Sequence, residues 1–192
     1  MKTTKFALVG VGGQGVLLAS DILADVGVQS GLDVKKSEVH GMAQRGGSVL
    51  SQVIWGKKVY APLEGKGDID FLLSFELLET LRWLDFLKAT GIAVVNDQKL
   101  PPLAVSSGGM EYPSRETIER ALSQATERYY IVPALATAQD LGTERATNVV
   151  LLGILSKHID VPEKHWLDVI EKRVPKRFME LNRKAFAAGR EL

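Results

Sequence analysis

The stretch FALVGVGGQGVLLAS, residues 6–20, decides the fold. Residues 5–11 form an apolar run without polar alternation, the pattern of a strand buried on both faces. Gly10, Gly12 and Gly15 then fall at G-x-G-x-x-G spacing, with an added Gly13. In such a turn the first glycine makes the tight bend. The second lets a ligand phosphate approach the backbone, and the third lets helix and strand pack closely. Beyond it, Val16, Leu17, Ile22, Leu23 and Val26 repeat at a helical period that stops at Gly31. The helix N-terminus offers unpaired N–H groups and a partial positive charge. Gln14 adds a side-chain amide at the mouth. Gly12, Gly13, Gln14 and Gly15 are therefore candidate anion-binding residues; a tight turn without a ligand is the alternative.

The rest of the chain repeats the alternation. Strands are expected at 33–39, 48–56, 68–76, 91–97 and 128–134, and helices at 77–91, 114–126, 143–159, 162–175 and 176–192. Ser114 reads as an N-cap. Residues 57–63 can pair with 48–56 as a hairpin that Pro62 ends. Strands spaced by helices predict an α/β fold, three-layered and Rossmann-like, with a mostly parallel sheet, an antiparallel hairpin excursion and C-terminal helices. No linker divides the chain, so one domain is expected over residues 1–192.

Composition narrows the chemistry. The net charge of +1 provides no field to gather nucleic acid or an acidic membrane. Cysteine is absent, which excludes disulfides, thiolate nucleophiles and any iron–sulfur cluster held by this chain alone. No run of about eighteen apolar residues exists to span a membrane, and MKTTKFALVG reads as a first strand rather than a signal peptide. A reducing, cytoplasmic location fits.

A second unusual stretch is EVHGMAQRGGSV, residues 38–49. It gathers His40, Gly41, Gln44, Arg45, Gly46 and Gly47 at the carboxyl end of the second strand, where open α/β sheets bind ligands. His40 can exchange a proton near neutral pH, or be a hydrogen-bonded loop histidine. Arg45 can fork onto a phosphate or carboxylate, or be a solvated charge. Glu38 stands about where a dinucleotide site places the acid that holds the ribose, yet it too can simply face solvent. Asn148, in the helix opening NVVLLGILSK, needs a hydrogen-bond partner, most simply a backbone group near the first loop, with a ligand as the alternative. Asn96 ends a strand and needs no role beyond the turn. His158 and His165 lack a second ligand at helical spacing, so no metal site is expected. Trp55, Trp83 and Trp166 read as core or interface anchors. Phe178, Leu181, Ala185 and Phe186 give the last helix an apolar side, for its own domain or for a partner.

GVGGQGVLLASDIL, EVHGMAQRGGSV and NVVLLGILSK together resemble the gamma domain of the 2-oxoacid:ferredoxin oxidoreductases, most of all the small subunit of the indolepyruvate enzymes. The likeness runs through the C-terminal residues 174–189. It implies a division of labour. A large partner subunit would carry thiamine diphosphate, magnesium and iron–sulfur clusters, decarboxylate an aryl 2-oxoacid, pass electrons to ferredoxin and hand the acyl group to coenzyme A. This chain has no cysteine and no G-D-G…N-N diphosphate–magnesium pattern, so alone it would be inactive. Its glycine turn and the loop from His40 to Gly47 would face the partner or the coenzyme A diphosphate. A homodimer is left open. The competing readings are a stand-alone Rossmann-like nucleotide-binding protein and a dinucleotide-dependent oxidoreductase.

Overall fold

The computed structural model describes residues 3–40, 47–109 and 111–192. In chain order it contains β1 (Thr4–Val11), α1 (Val16–Gln29), β2 (Asp33–His40), β3 (Ser48–Gly56), β4 (Ile69–Ser74), α2 (Leu77–Trp83), β5 (Leu87–Asn96), α3 (Leu103–Ser106), α4 (Arg115–Ala125), β6 (Arg128–Val132), α5 (Ala134–Asp140), α6 (Thr147–Ser156), α7 (Glu163–Arg173) and α8 (Met179–Glu191). The six strands lie in the order β2-β3-β1-β4-β5-β6. β1, β4, β5 and β6 pair in parallel, and β3 runs antiparallel to both β1 and β2. This is the expected α/β fold with a mostly parallel sheet.

The antiparallel excursion is present but is built from different segments than expected. β3 pairs with β2 and β1, and residues 57–63 are not a strand. Side chains hold this segment instead of a ladder. Val59 N–H donates to Asp33 Oδ2 at 2.8 Å. The Gln52 amide accepts from Glu64 N–H at 2.7 Å and donates to Glu64 C=O at 3.2 Å. Residues 57–67 thus form a strap across the sheet. Two other boundaries differ from expectation. Residues 77–91 divide into α2, a 3-10 turn at Leu84–Phe86 and the start of β5, and α5 occupies a stretch that carries no clear period.

Alternation along the strands fixes the two faces. Phe6, Leu8, Val53, Trp55, Leu73, Ile92 and Val94 point to one face, where α1, α6, α7 and α8 pack. Ala7, Val9, Leu50, Leu72, Ala93 and Val95 point to the other, where α2 and α4 pack. The first core is tied together by aromatic contacts. Phe6 meets Trp55 at 4.7 Å between ring centroids, and Trp166 bridges Trp55 at 6.4 Å and Phe186 at 6.0 Å. α6 is buried along its whole length. It touches α8 at two glycines: a Cβ on Gly153 would overlap the Phe186 carbonyl, and one on Gly189 the Val150 carbonyl. The last helix therefore spends Ala185 and Phe186 on its own chain, with Leu181 partly buried against the same core, while Phe178 just before it is 39% exposed.

From β1 the chain turns one way to β2 and β3, while β4, β5 and β6 lie on the other side. The strand order reverses between β1 and β4, and ligands of open α/β sheets bind at such a reversal, outside the carboxyl ends of the strands. The glycine turn leaves β1 at that point.

Candidate functional site

The turn has the geometry its glycines permit. Gly13 and Gly15 have φ of 107° and 80°, left-handed values that side-chain-bearing residues rarely adopt. The close-packing role, however, falls to Gly10 rather than Gly15. A Cβ on Gly10 would stand 2.9 Å from Phe75, Gln14 and Val16. Gly15 instead abuts α6, where a Cβ would meet the Asn148 amide at 2.9 Å. Asn148 donates to Gly15 C=O at 3.4 Å and accepts from Val149 N–H at 2.9 Å. Its partner is thus the backbone of the first loop. Gly12 N–H donates to Gly47 C=O at 2.9 Å, which brings one member of the second stretch against the turn.

Gln14 is not a free amide at the mouth. Its Oε1 accepts from Val11 N–H at 2.7 Å. Its Nε2 donates to Phe75 C=O at 2.9 Å and to Gln98 Oε1 at 3.0 Å. Asn96 completes the pattern: its Nδ2 donates to the same Phe75 C=O at 3.1 Å and to the same Gln98 Oε1 at 3.0 Å, and its Oδ1 accepts from Leu135 N–H. Because backbone N–H groups fix the oxygens of Gln14 and Asn96, the orientation of all three amides is determined. Gln98 therefore directs its oxygen into the network, and its NH2 is without a partner among the described residues. The network joins the ends of β1, β4 and β5 to the start of α5.

A buried carboxylate holds the neighbouring wall. Glu76 caps α2 by accepting from Glu79 N–H at 2.9 Å, and it also accepts from Leu100 N–H at 3.0 Å and from the Tyr112 hydroxyl. Burial and the Glu76 carboxylate push the Tyr112 phenol far above its ordinary range, so it remains a donor. The segment carrying Gln98 and Leu100 is thereby fixed.

Between these walls lies a cleft of about 530 Å³, lined by the turn from Gly12 to Gly15 and by Phe75, Gln98, Leu135, Arg145 and Asn148 among others. The N–H groups of Gly13, Gly15 and Val16 have no protein partner among the described residues. The exposed Arg145 guanidinium has none either. Glu144 is the one carboxylate on the rim among the described residues. Donors and a cation without an acid–base pair suit holding an anion rather than transferring a proton.

Sequence reasoning singled out neither Gln98 nor Arg145. They follow β5 and α5 respectively, and only the fold brings them to the turn. His40 is the last residue of β2, opposite Val49. Its side chain, with Gly41, Gln44, Arg45 and Gly46, lies outside the described residues. Glu38 is paired with Lys36 at 2.5 Å, and β3 separates its strand from β1. A dinucleotide fold places that acid on the strand next to β1; one intervening strand moves it about 4.8 Å further from the turn. His158 stacks on Tyr130, and His165 Nδ1 shares a hydrogen bond with Ser30 Oγ. Among the described residues no three His, Asp or Glu side chains converge to hold a metal, and no helix is long and apolar enough to cross a membrane.

The family model for pyruvate ferredoxin/flavodoxin oxidoreductase matches residues 5–192. The indolepyruvate oxidoreductase subunit IorB of Pyrococcus horikoshii is 38% identical over 192 residues, 98% of this chain and 95% of that protein. Among solved structures, the keto/oxoacid ferredoxin oxidoreductase gamma subunit of Geobacter sulfurreducens has a TM-score of 0.73 at 26% identity, covering 98% of this chain and 96% of that one. The 2-oxoglutarate:ferredoxin oxidoreductase of Magnetococcus marinus shares the fold, with a TM-score of 0.79 at 21% identity over 100% of this chain and 31% of that one. The likeness extends along nearly the whole sequence, and the chain belongs to the pyruvate ferredoxin/flavodoxin oxidoreductase family.

Proposed function

We propose that this chain is the small subunit of a cytoplasmic 2-oxoacid:ferredoxin oxidoreductase acting on indolepyruvate. The observation that carries the reading is the near full-length identity to an indolepyruvate oxidoreductase subunit, 38% over 98% of the chain. The site supports a binding role. The residues present do not fit thiamine diphosphate–magnesium or an iron–sulfur cluster: the chain lacks cysteine, and no metal-holding cluster occurs among its described residues. Those groups, the decarboxylation and the electron transfer to ferredoxin belong in this reading to a large partner subunit.

The cleft fits a different component. Gly13, Gly15 and Val16 N–H, the Gln98 amide and Arg145 are donors without protein partners among the described residues, and a diphosphate is an acceptor that would satisfy them. In this proposal they hold the diphosphate of coenzyme A, whose thiol takes the acyl group formed on the partner. Gly12 and Gln14 shape the turn and Gly47 braces it; His40, Gly41, Gln44, Arg45 and Gly46 belong to the proposed binding set by their sequence pattern. The reading is tested by producing this chain with its large partner under anaerobic conditions and following ferredoxin reduction. Activity with indolepyruvate that needs both chains and coenzyme A is the expected result. Turnover by this chain alone with a nicotinamide or flavin would replace the reading with that of a dinucleotide-dependent enzyme.

A further inference from the structure

Ser48 stands near the end of the stretch EVHGMAQRGGSV and opens β3. It follows Gly47 directly and lies opposite Val11, the last residue of β1, so it belongs to the end of the sheet where the glycine turn begins. Its hydroxyl donates to Oε2 of Glu79 on α2. Trp83 Nε1 reaches the same hydroxyl at 3.4 Å, and Arg82 Nη1 donates to Glu79 Oε1 at 2.8 Å. Glu79 is 3% exposed, and burying a charge costs free energy that an ion pair alone seldom returns. The Arg82 side chain is 45% exposed, so water screens the pair. Glu79 is not the cap of its helix either; Glu76 is, accepting from Glu79 N–H at 2.9 Å. What the Glu79 carboxylate contributes that an apolar side chain could not is a directed acceptor for one hydroxyl.

That hydroxyl lies one residue from the brace of the turn. Gly47 C=O accepts from Gly12 N–H at 2.9 Å, and Gly47 has no side chain by which to be held. The peptide that joins it to Ser48 is oriented from the Ser48 side, by the pairing of β3 with β1 and by the Ser48–Glu79 hydrogen bond. With Gly12 N–H engaged there, Gly13 and Gly15 line the cleft with N–H groups that have no protein partner among the described residues. The opposite wall is braced from the same turn of α2, because Glu76 accepts from Leu100 N–H at 3.0 Å. We propose that Glu79 and Ser48 are positioning residues for the anion cleft: α2 sets the glycine turn through Ser48 and Gly47, as it sets the Gln98–Leu100 wall through Glu76. The inference rests on the reading of the cleft as the site of the coenzyme A diphosphate.

The test is the coenzyme A dependence of ferredoxin reduction by the two-chain complex carrying Ser48→Ala, with Arg145→Ala assayed alongside. Ser48→Ala removes only a hydroxyl from a half-buried residue and leaves Glu79 paired with Arg82, so the variant should fold and assemble. The KM for coenzyme A should rise on the order of fivefold, the equivalent of one hydrogen bond, with kcat at saturating coenzyme A within about twofold of wild type. Ser48→Thr keeps the hydroxyl and should restore the wild-type KM. Within the complex, amide exchange at Gly12 should quicken in Ser48→Ala and not in Ser48→Thr, which reads the turn itself. If Arg145→Ala raises the KM and Ser48→Ala does not, the positioning role is wrong and the coenzyme A reading stands. If neither variant moves the KM, both are wrong. A rise in Ser48→Ala that Ser48→Thr fails to reverse would trace the effect to packing and overturn the role of the Ser48–Glu79 bond.

Discussion

Gln14→Glu tests the amide network at the turn with a nearly isosteric change. The variant keeps an acceptor for Val11 N–H but replaces the donor that reaches Phe75 C=O at 2.9 Å and Gln98 Oε1 at 3.0 Å. Neither acceptor is orphaned, because Asn96 Nδ2 still donates to both. The loss of two hydrogen bonds costs about 2 kcal/mol. A carboxylate oxygen facing two carbonyl oxygens adds repulsion on the order of 1–2 kcal/mol. The total, about 3–4 kcal/mol, corresponds to a fall of roughly 10 °C in melting temperature for a chain of this size. The introduced carboxyl would be held above its ordinary range, so the native state binds a proton that the unfolded chain releases. The deficit should therefore shrink as pH falls from 7 toward 5. Urea unfolding followed by circular dichroism at the two pH values reads both effects, with Gln14→Met as the uncharged control. A Gln14→Glu variant within about 0.5 kcal/mol of wild type at pH 7 would refute the network as described.

Three further outcomes follow from packing and charge. Gly189→Ala gains about 1 kcal/mol of helix propensity, yet its Cβ would overlap the Val150 carbonyl. A net loss of stability in thermal melts is expected, and a net gain would contradict the α6–α8 contact. Gln52→Leu unpairs both backbone groups of Glu64; it should cost about 2 kcal/mol and speed amide exchange at Glu64, and unchanged exchange there would show that the strap is held otherwise. Burial, with Lys157 and Arg128 nearby, holds His158 below its ordinary value. The unfolded chain then binds that proton more readily, so this contribution to stability is full above about pH 6.5 and is lost as pH falls through the lower folded value. His158→Gln should flatten that limb of the stability–pH curve, and an unaltered limb would remove His158 as its cause.

The first strand, turn and helix are legible because every local signal agrees: an apolar run, glycines where φ is positive, and a helical period that ends at Gly31. The place of β3 is not legible. Its residues are apolar on both faces, as in a parallel central strand, and nothing local says that it slips between β1 and β2. The same insertion removes Glu38 from the position expected of a ribose-binding acid. Residues 84–87 continue the apolar spacing of α2, which hides the change to β5. α5 has seven residues, too short for its period to register. At the site, Gly12 to Gly15 carry their own signature. Asn96, Gln98 and Arg145 do not, because single polar residues after a strand or helix look like ordinary turns until the sheet gathers them. Asn148 is the intermediate case: an Asn within an apolar helix demands a partner, and the fold supplies Gly15.

The central claim is that the cleft at the glycine turn holds an anion used by chemistry on another chain. The most direct measurement is the coenzyme A dependence of ferredoxin reduction by the two-chain complex with Arg145→Ala. Arg145 is exposed and has no protein partner among the described residues, so the variant should fold and assemble as wild type. Loss of one charge-assisted hydrogen bond to a phosphate, about 1.5–3 kcal/mol, should raise the KM for coenzyme A at least tenfold and leave kcat at saturating coenzyme A within about twofold. An unchanged KM would contradict the assignment of the cleft to coenzyme A.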